Sequence, residues 1–385
     1  MKTLPSKIII PLALVLLGLI RIISVLNHET EEPAGDKNAR QDSDLRSNNR
    51  ESITFILGED SDENNPFYAE ATNYYLYNQE AKTDRFVTDC RSILEVQEYL
   101  EKHKPENNMP WGLINLVSHG NQWLGLSVKV TPNSNRASAD RIIEYIENDS
   151  LIHLSETVID KNTEIFIHAC GVGNNERILK AISEAFSCGT NKPKVKASKL
   201  FEFYTSLTKD GLITESERYY AEAKFIVYKM GSKPENTVIT NMLNKKYPNS
   251  DIDFSDAISR EAPRYTGDTY HYTFEVPVKW VIPYPDSASY PDLSTKERQQ
   301  EWIAKQEEIT DILKQLDIPQ DQFNWWFREV NVKNEDGTSS PAVWIKGYCT
   351  ILCVIKPLID EEQTNGKLRK PYVPNPNDKQ YFCSF

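Results

Sequence analysis

From about Ser52 onward, apolar and polar positions follow one another along the chain in segments of two kinds. Short apolar runs of strand length are each followed by a longer segment with the periodicity of an amphipathic helix. The apolar runs are "ITFIL", "RFVTDC", "GLINLVS", "EIFIHAC" and "LFEFYTSL". The helical segments between them are "YAEATNYYLYN", "SILEVQEYLEKH", "ADRIIEYIEND" and "ERILKAISEAF". This alternation predicts an α/β fold in which helices flank a mostly parallel β-sheet.

Beyond about Met230 the pattern becomes irregular and predicts an α+β region. The segment "VPVKWVIPYP" has the character of a strand, and residues 294–316 form a charged helical pattern that Ser294 would cap. Residues 326–358 predict a hairpin that turns at Asp336-Gly337. We therefore divide the folded part into 52–232 and 233–385, and we expect the second region to complete or cover the sheet.

The first residues differ from the rest of the chain. Lys2 and Lys7 precede an apolar run that is interrupted by Arg21 and ends at Leu26, and acidic residues follow it. Residues 1–27 therefore predict a signal peptide or a membrane anchor, with the amino terminus in the cytoplasm and the main domain secreted or anchored outside the cytoplasm. Residues 28–51 are almost devoid of apolar side chains, so we expect a flexible linker there.

Composition narrows the function classes. The chain has 385 residues and a formal net charge of −12, and no basic cluster alternates with aromatic residues, so the electrostatic footprint of a nucleic-acid-binding protein is missing. The six cysteines are scattered without a CxxC pair, which argues against a zinc ribbon or a dense disulfide scaffold.

The strand "EIFIHAC" ends in Cys170, which a glycine-containing turn and a helix follow directly. Gly171 and Gly173 remove side-chain bulk, and Asn174 or Asn175 could cap the helix. A helix amino terminus lowers the pKa of a nearby thiol and favours the nucleophilic thiolate. We therefore expect Cys170 to be an activated nucleophile.

A nucleophilic cysteine needs a partner for proton transfer, and His119 is the best candidate because it ends the preceding strand and is followed by Gly120. Neighbouring parallel strands would bring His119 and Cys170 to the same edge of the sheet. The backbone N–H groups of Gly120 and Cys170 could then form an oxyanion hole.

The segments "LVSHG" and "FIHACGVG", with a separation of 170 − 119 = 51, resemble those of the caspase-like (clan CD) cysteine peptidases. That group includes caspases, metacaspases, legumains, clostripains and gingipains, and the resemblance covers Ser52 to Lys229. It implies Cys170 as the nucleophile, His119 as the proton donor to the leaving amine, and Gly120 with Cys170 as the oxyanion donors.

The same resemblance implies that His168, two residues before the cysteine, lines the pocket for the substrate residue before the scissile bond. Relatives that cut after arginine or lysine typically carry aspartate there, and caspases carry glutamine, so His168 favours an acidic, polar or small substrate residue. Many relatives are zymogens, and the composition of Ser187–Ser198 suggests an exposed processing segment.

Other kinds of site fit the sequence less well. In "GVGNNE" Glu176 stands where a dinucleotide loop needs its third glycine, and a zinc ion held by His119, His168 and Cys170 would lack a fourth ligand. The acidic turn at Asp60 fails as a calcium loop because Asn65 replaces the required glycine. We therefore expect a cofactor-free cysteine endopeptidase that acts on proteins or peptides through a thioester. The alternative is a caspase-like pseudoenzyme or a membrane-tethered interaction module.

Overall fold

The computed structural model describes residues 50–61, 66–263, 267–333, 337–365 and 368–385. The predicted signal or anchor segment 1–27, and the predicted linker as far as residue 49, lie outside these ranges. Within the described ranges, no helix combines the length and the apolar character needed to cross a membrane.

The described residues form strands and α-helices that we number in chain order. The strands are β1 (Ser52–Ile56), β2 (Arg85–Val87), β3 (Leu113–Val117), β4 (Gly120–Asn121), β5 (Gly125–Leu126), β6 (Glu164–His168), β7 (Lys194–Ser198), β8 (Phe201–Lys209), β9 (Leu212–Lys229), β10 (Tyr270–Pro283), β11 (Asn324–Lys333), β12 (Ser339–Pro357), β13 (Ile359–Asn365), β14 (Leu368–Pro371) and β15 (Phe382–Ser384). The helices are α1 (Phe67–Tyr77), α2 (Ile93–Lys102), α3 (Ala139–Glu147), α4 (Glu176–Ala185), α5 (Asn236–Lys246), α6 (Phe254–Ile258), α7 (Lys296–Ile303) and α8 (Glu307–Gln315).

Sheet 1 has six strands in the order β15-β7-β6-β3-β1-β2. All neighbours pair in parallel except β15, which runs antiparallel to β7. Helices α2, α3 and α4 pack on one face through a single apolar core. Helix α1, with part of β8, covers the other face. The predicted α/β fold with a largely parallel sheet is therefore confirmed.

The fifth parallel strand is β7, so the prediction that "LFEFYTSL" supplies it is wrong. That segment forms β8 and pairs antiparallel with β9 in another sheet. The predicted exposed processing segment, Ser187–Ser198, is only partly exposed. Residues 195–198 are buried in β7, and the exposed positions of the segment lie before them. The two lysines of "KVKAS" make this buried strand look polar in the sequence. Lys196 is nevertheless only 2% exposed, and it forms an ion pair with Glu164 at 3.0 Å.

Sheet 2 is antiparallel, with the order β10-β12-β9-β8 and with β11 also paired to β12. Helices α7 and α8 pack on one face, and α5 and α6 pack on the other. The predicted β11–β12 hairpin is confirmed. Asp336 of its turn lies outside the described residues, and Gly337 has the positive φ of 80° that favours glycine.

The predicted charged helix at 294–316 is in fact two helices, α7 and α8. Thr295 caps α7 by accepting a hydrogen bond from the Arg298 N–H at 3.3 Å. Ser294, the predicted cap, instead donates its hydroxyl to Asp292 at 2.6 Å. The break between the helices comes from a tight turn, in which the Gln306 N–H donates to the Ile303 carbonyl three residues back.

The hairpin of β8 and β9 joins the two sheets because its alternate residues face different cores. Tyr204 and Tyr220 belong to apolar clusters on sheet 1. Phe201 and Ala221 belong to the core of sheet 2. The period of two along a strand thus lets one hairpin pack against both layers.

We predict that the last strand stabilises sheet 1 through Phe382, which is 3% exposed and packs edge-on against Phe166 and Tyr220. Phe382→Ala should lower the free energy of unfolding by about 3–5 kcal/mol in urea titrations, as for other buried phenylalanines. The matched control is Phe385→Ala, because that side chain is 48% exposed and should change stability by less than about 0.5 kcal/mol. Equal effects of the two substitutions would contradict the role of β15.

Candidate functional site

The pairing of β3 with β6 brings His119 and Cys170 to the same edge of sheet 1. The two strands run in parallel with Val117 opposite His168, and the Ser118 N–H extends the pairing by donating to the His168 carbonyl at 3.1 Å. His119 and Cys170 each lie two residues beyond the last paired position. They therefore occupy equivalent places at the carboxyl edge, on the face where Asn115 contacts His168.

Gly120 lies against the turn that follows Cys170. A Cβ atom at Gly120 would come within 3.1 Å of Ala169 Cβ and 3.3 Å of Val172 Cγ2. The Ser127 N–H donates to the His119 carbonyl at 2.7 Å. Gly120 and Leu126 are therefore a non-hydrogen-bonded pair of the antiparallel β4–β5 ladder. This ladder therefore does not use the Gly120 N–H, which the predicted oxyanion hole requires.

The two glycines after Cys170 have structural reasons to be glycine. Gly171 has a φ of 64°, and its N–H donates to the Leu200 carbonyl at 2.9 Å. A Cβ atom at Gly173 would lie only 2.5 Å from the Ala197 carbonyl oxygen of β7. Asn175 then caps α4 by accepting from the Ile178 N–H at 3.4 Å, which confirms one of the two predicted caps.

The Cys170 thiol is held between the two sheets. It donates to the Glu202 carbonyl of β8 at 3.6 Å, and the side chain packs against the core of sheet 2. Burial, reinforced by the nearby Glu202 carboxylate, raises the pKa of the thiol to about 12. The shift is therefore opposite to the predicted lowering of this pKa, and burial is its largest cause in this conformation.

His119 is fixed by the first turn of α1. Its ring stacks on Phe67 with 4.3 Å between ring centroids, and Tyr68 meets it edge-on at 4.9 Å. The backbone N–H of His119 donates to the Tyr68 hydroxyl at 3.0 Å. Burial lowers the pKa of His119 from its ordinary value. Although both residues are described, no hydrogen bond joins the ring of His119 to the Cys170 thiol, whose bond goes to Glu202.

His168, the predicted substrate-pocket residue, lies inside a buried polar network. Its Nδ1 atom is 2.8 Å from Glu202 Oε1, and its Nε2 atom is 3.2 Å from Asn115 Oδ1. Phe166 stacks on its ring at 4.5 Å. Arg218 Nη1 also lies 3.3 Å from Nδ1, so polar partners surround both ring nitrogens.

Glu202 is the centre of this network and is fully buried. Tyr204 donates its hydroxyl to Glu202 Oε1 at 2.8 Å, and Arg218 Nη1 lies 3.6 Å from the same oxygen. Burial alone would raise the pKa of Glu202, but His168 and Arg218, with the Tyr204 hydroxyl, hold it below its ordinary value.

Little space adjoins His168 in this conformation. His168 and Arg218 line a cavity of about 40 Å³, which has room for about one water molecule. A pocket for a substrate side chain needs several times that volume. The substrate-pocket role of His168 thus stays a prediction, and it would require the network around Glu202 to open.

The sequence gives only a weak signal for the residues that complete the site. Glu202 is a single charge within the apolar and aromatic segment "LFEFY", and Arg218 follows Glu217 at the start of "ERYYA". From the sequence alone, such a charged residue is expected to face solvent unless its partner on another strand is known. Tyr68 begins a predicted helical segment and Phe67 directly precedes it, and nothing local indicates that they contact His119.

Within the described ranges, no group of three or more His, Cys, Asp or Glu side chains is arranged to hold a metal ion. Comparisons with protein-family models, curated proteins and solved structures found no match to the chain. The chemistry of the site is therefore argued from its own residues.

We predict that Arg218 stabilises the buried network. Arg218→Met leaves the Glu202 carboxylate with one cationic partner fewer, and it should lower the free energy of unfolding by about 3–5 kcal/mol at pH 7. Because the folded protein holds the pKa of Glu202 below its ordinary 4.5, the stability from its ionised form is complete above about pH 4.5 and is lost as the pH falls through the folded-state pKa. The difference in the free energy of unfolding between Arg218→Met and the wild type should therefore become smaller as the pH falls.

The control for this substitution is Arg260→Met. Arg260 pairs with Asp256 at 2.6 Å near the surface, four residues away on the same segment. Its replacement should cost about 0.2–1 kcal/mol. Chemical denaturation of both variants across pH 3–8 measures the effect, and a cost for Arg218→Met no greater than that of the control would rule out the proposed role of the network.

Proposed function

We propose that the protein is a caspase-like cysteine endopeptidase that cleaves peptide bonds with Cys170 and His119. One observation carries this proposal: the in-register pairing of β3 and β6 puts both residues at one edge and on one face of a parallel sheet. Sites in sheets of this kind collect beyond the carboxyl ends of the strands.

In the proposed reaction, the Cys170 sulfur attacks the scissile carbonyl carbon as a thiolate. The N–H groups of Gly120 and Cys170 stabilise the oxyanion of the tetrahedral intermediate. The C–N bond then breaks, His119 supplies the proton to the leaving amine, and a thioester remains on Cys170. Water hydrolyses the thioester, which releases the carboxylic acid and restores the thiol.

The described conformation is a resting state of this proposed enzyme. The thiol donates to the Glu202 carbonyl and has a pKa of about 12, so it is protonated at neutral pH. His119 is stacked on Phe67. Activation therefore requires that Cys170 separate from β8, which is consistent with a zymogen.

The proposed specificity is for an acidic, polar or small residue, and not a basic one, before the scissile bond. Arg218 lies beside His168 in the buried network, with Nη1 3.3 Å from His168 Nδ1. A lysine or arginine side chain entering there would meet this guanidinium. We further propose, from the charge pattern of residues 1–27, that the enzyme acts outside the cytoplasm as an anchored or secreted protein.

A second candidate function is that of a pseudoenzyme or interaction module without peptidase activity. The specific observation that favours it is the same thiol, because its burial opposes the nucleophilic thiolate form. Intact Cys170 and His119 at one edge favour the peptidase.

Labelling with acyloxymethyl ketone probes separates the two functions. We expect labelling of the full chain under reducing, calcium-containing conditions after limited proteolysis, and we expect Cys170→Ala to abolish it. His119→Ala should slow labelling by about 10²-fold or more, the usual contribution of a general acid or base. Cys188→Ala is the matched control, because Cys188 is also a free and partly exposed cysteine.

Probes that carry aspartate, asparagine, alanine, lysine or arginine before the reactive group test the specificity in the same experiment. Fastest labelling by the lysine or arginine probe would contradict the proposed preference. Absence of labelling by all probes, before and after proteolysis, would exclude the peptidase and support the non-catalytic module.

A further inference from the structure

Asp60 caps helix α1 from the connection between β1 and α1, eight residues before Tyr68. Its Oδ1 atom accepts the Tyr68 N–H at 2.9 Å, and its Oδ2 atom accepts the Ala69 N–H at 2.8 Å. The residue at the cap position itself, Pro66, makes no side-chain hydrogen bond to the helix. Asp60 therefore binds two of the free N–H groups in the first turn, which a helix normally satisfies with its own capping side chain.

The turn that Asp60 holds is the one that contacts His119 from two directions. Phe67 stacks on the imidazole, and Tyr68 contacts it edge-on. The Tyr68 hydroxyl also accepts a hydrogen bond from the backbone N–H of His119. The Tyr68 hydroxyl also lies 3.1 Å from Ser127 Oγ, which connects the turn to the segment directly after β5. The orientation of the imidazole thus depends on the position of this turn.

Charge at this place affects the protonation of His119. The amino terminus of a helix carries a partial positive charge, which disfavours an imidazolium beside it. The charged and titratable groups that face the ring from the elements packed against it are Asp60, Tyr68 and Arg136. Arg136, bound to the carbonyls of Gly125 and Leu126, opposes the imidazolium, and Asp60 favours it.

We propose that Asp60 is a positioning residue for His119, which it fixes through the first turn of α1 and favours in its protonated form through its own negative charge. This inference rests on the proposed function, in which His119 must carry the proton that the leaving amine receives. Asp60 touches neither substrate nor the reacting atoms, so its effect on the reaction passes through His119.

The test is a titration of His119 by NMR in the full chain with isotope-labelled histidine, with His119→Gln used to assign the signal. Asp60→Asn keeps an acceptor oxygen and removes the charge, so the pKa of His119 should fall. Asp60→Glu keeps the charge and should preserve a pKa close to that of the wild type. The control Asp253→Asn removes the same charge from the cap of α6, where Asp253 accepts the Asp256 N–H at 3.0 Å, and should leave His119 unchanged.

In the labelling assay, Asp60→Asn should slow modification of Cys170 by about two- to fivefold at neutral pH, the size of a charge interaction at a helix terminus. It should also move the basic limb of the pH profile to lower pH. Arg136→Gln should shift the pKa of His119 in the opposite direction. An unchanged His119 pKa in Asp60→Asn would overturn the inference.

If Asp60→Asn does not fold, Asp60→Ser provides a second neutral cap for the same measurement. Failure of both neutral variants to fold, while Asp60→Glu folds, would also overturn the inference, because the role of Asp60 would then be structural. The titration does not depend on catalysis. A shifted His119 pKa without labelling of Cys170 would therefore refute the peptidase and leave the coupling of Asp60 to His119 intact, whereas labelling with an unshifted pKa would refute only the coupling.

Discussion

Glu202 forms the junction on which the arrangement of the site depends. Its carboxylate binds His168 of β6, and its carbonyl accepts the thiol of Cys170 just beyond the same strand. A fully buried carboxylate is tolerated only with partners, and Arg218 and Tyr204 also approach its Oε1 atom, whereas Oε2 has no hydrogen-bond partner among the described residues. The β8–β9 hairpin therefore cannot move away from sheet 1 without breaking a buried ionic network, and while it stays, the Cys170 thiol is bonded to β8 and only partly exposed.

Under the proposed function, this junction explains how Cys170 is kept in its unreactive form. The cysteine reaches the correct edge because β6 is a buried parallel strand, and the glycine turn lets α4 begin immediately after it. Sheet 2 then covers the thiol and raises its pKa. His119 is held separately by α1, so the two partners belong to different packing units. An event that shifts β8 would expose the thiol, and it would also act on the α1 turn beside His119, because Tyr204 of β8 contacts Phe67 at 5.5 Å between ring centroids.

The sequence predicts the local parts of this structure and misses the long-range ones. Strands β1, β3 and β6 and helices α1 to α4 follow from apolar periodicity, and the Asn175 cap follows from its place before a helix. Strand β7 is missed because Lys196 looks solvent-exposed, and its buried ion pair with Glu164 is visible only after folding. The predicted direction of the Cys170 pKa shift differs from the observed one for the same reason. The β8–β9 hairpin that contacts the thiol lies more than thirty residues further along the chain.

The rate of alkylation of Cys170 by iodoacetamide, followed peptide by peptide with mass spectrometry, tests the resting state most directly. Since burial raises the pKa of the thiol from 9.0 to about 12, the thiolate fraction at pH 8 should be roughly a thousandfold lower in the folded protein than in urea. We predict that Cys170 is alkylated far more slowly in the native chain than in the unfolded one. Native alkylation as fast as in urea, or with an apparent pKa near or below 8, would contradict the account that β8 holds Cys170 as a protonated thiol.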